Sequence, residues 1–119
     1  MTKTITLAHS PDADDLVMWW PLAGMRNAEG APLAGSDGHP VLDTRGFTFE
    51  PVAADIQALN ERATARGDLD ITAISAFTYP FVKDRYRITS CGGSFGDGYG
   101  PKVVVRQDST VMCEGCLRS

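Results

Sequence analysis

The sequence predicts an α/β fold built on a central, mostly parallel sheet flanked by helices. Strand-like runs recur at residues 4–8, 47–52 and 69–75, stretches of helical period lie between them, and Ser, Asp, Gly and Pro fall at the junctions. Strands that alternate with helices require crossover connections, which make neighbouring strands parallel. With 119 residues, 43% hydrophobic and 22% charged, the chain can build one domain around one modest core.

At the amino end, "TITLA" (4–8) alternates and runs into Ser10-Pro11, which predicts a first strand ending near His9. Ser10 and Asp12 can each cap a helix after it. From Asp14 onward Leu16, Val17, Trp19 and Trp20 share one helical face, with acids in the first turn and Pro21 expected to end or kink the helix. Residues 24–46 hold five glycines and two prolines without a period, so they read as a long, flexible insertion loop. "FTFEPV" (47–52) alternates as a second strand. Residues 55–67 put Ile56, Leu59 and Ala63 on one face between Asp55 as N-cap and Gly67 as stop.

"LDITAIS" (69–75) reads as a third strand, apolar enough to be buried on both faces, with Ser75 capping a short helix "AFTYPFV". "YRITS" (86–90) and "KVVVR" (102–106) read as fourth and fifth strands around the glycine-rich turn 91–100, and 107–119 as a tail without apolar period. In such a sheet ligands bind beyond the carboxyl ends of the strands. Three segments are expected to converge there: Ser10–Asp15, Ser75–Thr78 and Gly96–Gly100.

Composition excludes several classes of function. Net charge is −4 and the 11 Lys and Arg are scattered, so there is no footprint for nucleic acid. No apolar run approaches the ~18 residues of a membrane span. The amino end lacks an apolar export segment, so a cytoplasmic location is expected. Cys91, Cys113 and Cys116 are odd in number and argue against a disulfide framework; Cys113 and Cys116 could give two zinc ligands, but neither His9 nor His39 has the spacing to complete a set.

Asp12, Asp14 and Asp15 could ligate a cation, act as acid and base, or start a helix. The calcium-loop spacing is absent, and helix starting is the favoured reading, with at least one acid free to touch ligand. "GSFGDGYGP" contains Gly-x-Gly but no Gly-Lys-Ser/Thr, and it leads into a strand, so it is neither a P-loop nor a dinucleotide fingerprint. A tight turn at positive φ and a close approach to ligand both remain open for it. Ser75 can be a cap, a ligand donor, or both. The aromatics Trp19, Trp20, Phe77, Tyr79 and Phe81 are expected in the core, whereas Tyr99, between Gly98 and Gly100, is the one expected outside it.

The strings "HSPDADDLVMWWPL", "ADIQALNERATARGDLDITAISAFTYPFVKDRYRI" and "GGSFGDGYGPKVVV" together resemble the amino-terminal lobe of the 1,4-dihydroxy-6-naphthoate synthases of the futalosine route to menaquinone. The resemblance runs from Thr4 to Arg106 apart from the 24–46 loop. It implies a periplasmic-binding-protein-like, two-lobed fold whose cleft converts cyclic dehypoxanthine futalosine into 1,4-dihydroxy-6-naphthoate without a cofactor. It also implies that Ser10, Pro11, Asp14, Asp15, Ser75, Gly98 and Gly100 lie at the substrate, with Ser10 and Ser75 holding its carboxylate; Tyr99, between the two glycines, is counted with them as a candidate substrate-binding residue. The family's proposed general base lies in a second lobe that this sequence does not match, so no catalytic residue is assigned here. The expectation is therefore a truncated, single-lobe form of a lyase, acting on a small-molecule carboxylate and in need of a missing second lobe. The alternatives are a non-catalytic module that binds small anions, and a fragment that does not fold alone.

Overall fold

The structure, a computed structural model, describes residues 2–98. Three parallel strands form one sheet in the order β2-β1-β3, with β1 at Lys3–His9, β2 at Phe47–Ala53 and β3 at Ile71–Thr72. Helices α1 (Ala13–Ala23), α2 (Ile56–Ala65) and α3 (Tyr79–Val82) alternate with them. The α/β class and parallel sheet expected from the sequence are the ones observed.

The central strand fixes the geometry. Residues Lys3 to His9 pair with Phe47 to Ala53 along the whole of β1, and burial rises toward its carboxyl end, where Leu7, Ala8 and His9 are buried. Past the ladder, the Ala8 carbonyl accepts from the Ala73 amide at 2.8 Å and the His9 carbonyl from the Ala54 amide at 3.0 Å. The end of β1 is thus held from both sides, which gives the loop after it a rigid base.

Helix α2 packs as its pattern requires. The Asp55 side chain accepts from the Gln57 amide at 2.8 Å, and Leu59 and Ala63 are buried. Leu59 joins Ala8 and Leu69 in the core, with Val52, Ala54 and Ala73 packed around them. Full burial of one leucine contributes about 1.5–3 kcal/mol. Gly67 ends the turn in the left-handed region, at φ 64°, with its amide on the Arg62 carbonyl.

Several expectations are corrected. Pro21 neither ends nor breaks α1, because it falls in the last turn and removes only one donor; the helix stops three residues later at Gly24 (φ 77°), where a Cβ would collide with the Gly38 backbone. Leu16 and Val17 do not share a buried face with the tryptophans. They are exposed, and the buried residue of α1 is Asp15, whose carboxylate turns inward to a backbone amide. The 24–46 segment carries local structure: a 3₁₀ turn at Gly35–Gly38, an Arg26–Pro32 bridge, and the Val41 and Leu42 amides on the Pro21 carbonyl.

The third strand is much shorter than 69–75 and only half-buried. Its entry is set by side chains, since Asp70 Oδ2 accepts from the Thr6 amide and hydroxyl, each at 2.9 Å, and the Asp70 amide returns to Thr6 Oγ1 at 2.8 Å. No strand forms at 86–90; the Tyr86 amide closes on the Val82 carbonyl, and the chain then runs on as irregular backbone. Helix α3 begins at Tyr79 with Thr78 in the cap position, so Ser75 does not cap it. Phe77 and Phe81 are exposed and pair with each other at 5.8 Å between ring centres, so they lie outside the core. The fifth strand, the tail, and Cys113 and Cys116 lie outside the described residues.

Candidate functional site

A cleft of about 480 Å³ opens beyond the carboxyl ends of β1 and β3, beside the starts of α1 and α2. One wall is the loop from Ser10 to Asp15. The opposite wall is the irregular chain through Tyr86–Thr89 and Gly92–Phe95.

The acid loop is built around Ser10. Its amide donates to Asp15 Oδ2 at 2.8 Å, a buried contact; its hydroxyl donates to Asp12 Oδ2 at 3.1 Å and accepts from the Asp12 amide at 3.3 Å. Asp12 occupies the N-cap position of α1, yet its side chain bonds no helix amide. The carboxylates thus organise the chain before the helix more than they cap it. Asp14 reaches across the cleft, where Ser94 Oγ donates to its Oδ2 at 2.7 Å. That hydroxyl holds the Asp14 carboxyl below the usual carboxylate range. Asp70, on the floor, is likewise lowered, first by the Thr6 amide and then by the Thr6 hydroxyl.

Glycine serves contact here. A Cβ at Gly92 (φ 85°) would stand 3.3 Å from the Trp19 ring, so the strap lies directly on that indole. Trp19 Nε1 and the Tyr86 hydroxyl, both on residues lining the cleft, are buried without a hydrogen-bond partner among the described residues. No three His, Cys, Asp or Glu side chains among the described residues group to hold a metal ion.

Of the residues singled out by sequence, Ser10, Asp14 and Asp15 line this cleft. Ser75 does not. It lies on a separate groove of about 440 Å³ between α2 and α3, its amide on Asn60 Oδ1 at 2.9 Å and its hydroxyl 2.9 Å from that of Thr78. From the Ser75–Thr78 segment only Ala76 reaches the cleft. Gly98 has φ 73° and open space around its Cβ position, so it is a turn glycine and lies off the cleft wall. Tyr99 and Gly100 lie outside the described residues. The glycine-rich motif does approach the cleft, but through its earlier part, Gly92–Phe95.

Sequence reasoning misses Trp19, Asp70, Tyr86 and Arg87 as cleft residues. The apolar alternation assigns Tyr86 and Arg87 to a strand, and nothing in a strand-like pattern marks a segment that instead runs along a cleft. Asp70 carries a usable signal, as an acid at the threshold of an otherwise apolar run.

A family profile described as menaquinone biosynthesis matches residues 5–116. The chain is 35% identical over 104 residues to a 1,4-dihydroxy-6-naphthoate synthase of Streptomyces coelicolor, and 32% identical over 104 residues to one of Thermus thermophilus. Each match takes in 87% of this chain but only 31% and 32% of the respective relative, so the chain spans about a third of their length. No solved structure matches it significantly. The family match covers nearly all of the sequence, including the acid loop, the floor and the strap that bound the cleft, and on that ground the chain belongs to the menaquinone-biosynthesis family.

Proposed function

We propose that this chain is a substrate-binding lobe of a lyase of the 1,4-dihydroxy-6-naphthoate synthase type, acting in the cytoplasm on cyclic dehypoxanthine futalosine. One observation carries the reading: the Ser-Pro-Asp loop of the resemblance stands at the carboxyl end of the central strand and faces a cleft large enough for a fused-ring ligand. Ser10, Asp14 and Asp15 are the residues this reading places at the substrate.

A single lobe is a half-site in this reading. Ile88 and Phe95 on the cleft wall are 71% and 91% exposed, so a bound ligand keeps one side in water. In this reading a second lobe of a two-lobed binding fold excludes water, and it carries the base that the family resemblance implies. The 119-residue chain alone should therefore bind cyclic dehypoxanthine futalosine and release no 1,4-dihydroxy-6-naphthoate. Calorimetry for binding and chromatography for product test both halves. Turnover by the chain alone would overturn the half-site reading, and absence of binding would overturn the pocket assignment.

A further inference from the structure

We propose that Arg87 is the docking point for the ligand's carboxylate in this cleft, an inference that rests on the proposed function. The cleft is lined by four carboxylates, those of Asp12, Asp14, Asp15 and Asp70, and among its described residues by a single guanidinium. Every one of the four acids already has a neutral donor of the chain: the Ser10 hydroxyl on Asp12, the Ser94 hydroxyl on Asp14, the Ser10 amide on Asp15, and the Thr6 amide and hydroxyl on Asp70. Arg87 has no hydrogen bond or ion pair among the described residues; the ion pair found there is Arg62 with Asp68, elsewhere on the surface. An exposed guanidinium on the cleft wall without a partner among the described residues has its fork of donors free for a planar anion.

The rest of the lining suits the body of such a ligand. Met18, Trp19, Tyr79 and Phe95 supply apolar and aromatic wall for a flat ring. The Ser10 hydroxyl is a poor seat for the anionic end, since it is engaged with Asp12 and an anion there would face the Asp12 and Asp15 carboxylates. The arrangement selects an aromatic carboxylate whose charge lies at Arg87 and whose ring lies along the tryptophan.

The test titrates 2-naphthoate and its neutral counterpart 2-naphthamide into the full 119-residue chain, with calorimetry and tryptophan fluorescence as readouts. The wild type should bind the naphthoate more tightly than the amide. R87Q should weaken naphthoate binding about tenfold or more and leave the amide unchanged, and R87K should fall between, keeping the charge but losing the fork. Arg87 is exposed, so both variants should melt like wild type, and R87K retains the readout if R87Q does not fold. Equal naphthoate binding by wild type and R87Q would overturn the role of Arg87 while leaving the cleft as the site. Failure of the wild type to bind either probe would overturn the proposed function together with it.

Discussion

Two hollows of similar size, about 480 and 440 Å³, lie on this small domain and are built in opposite ways. The first sits at the carboxyl end of the central strand, and its polar walls are cross-linked over long sequence distances: Asp14 to Ser94, and Asp70 to Thr6. The second, between α2 and α3, rests on Asn60, Ser75 and Thr78, with two exposed phenylalanines at its edge. The first hollow ties its carboxylates to its own chain and leaves the Arg87 guanidinium without a partner among the described residues. In the second, Asn60, Ser75 and Thr78 bond to one another beside two exposed rings. Volume alone therefore does not tell the two apart; the partners of their polar groups do.

The largest effect should come from the acid loop. Asp15→Ala removes a buried charged acceptor and strands the Ser10 amide, which should lower stability by about 1.5–3 kcal/mol in urea unfolding, whereas Asp15→Asn keeps an acceptor and should lose less. Equal losses would show that shape, and not the hydrogen bond, matters at this position. In the second hollow, Asn60→Ala should cost about 1–2 kcal/mol by orphaning the Ser75 amide, and Ser75→Ala about 0.5–1.5 kcal/mol for one neutral bond. Neither should alter binding of an aromatic carboxylate in the first. A change in that affinity on Ser75→Ala would erase the distinction between the two hollows.

Acid pH should separate them by a smaller amount, because the groups concerned are exposed and screened. Asp70 and Asp14 are both depressed in the folded state, the former chiefly by the Thr6 amide and the latter chiefly by the Ser94 hydroxyl. A depressed carboxyl contributes stability that is full above its unfolded value, near 3.8, and is lost as pH falls through the folded value. Melting temperature should thus fall on acidification below about pH 4, with a flatter acid limb in Asp70→Asn. An unchanged acid limb in that variant would show that the Thr6–Asp70 clamp does not couple to folding.

The amino-acid sequence alone suffices to read the central strand, the two main helices, the Asp55 cap, the Gly67 stop and the burial of Leu59 and Ala63. Those arise from short-range period and from residues whose chemistry acts within one or two turns of chain. It also determined the family, because motifs are carried by residue identity. Which side of α1 faces inward is set by folding, since a buried amide at Ser10 outweighs the apolar pattern and draws Asp15 in while Leu16 and Val17 stay in water. Folding likewise makes "YRITS" a cleft wall: its apolar alternation fits a strand, but a strand needs a neighbour, and the chain facing it is the acid loop across an open space. The same holds for Ser75, placed on the far groove by Asn60, fifteen residues earlier on α2, and for Arg87, which folding sets on the cleft wall without a partner among the described residues. Period and capping are local and can be read along the chain, whereas facing, partnership and enclosure depend on residues distant in sequence and arise only when the chain has folded.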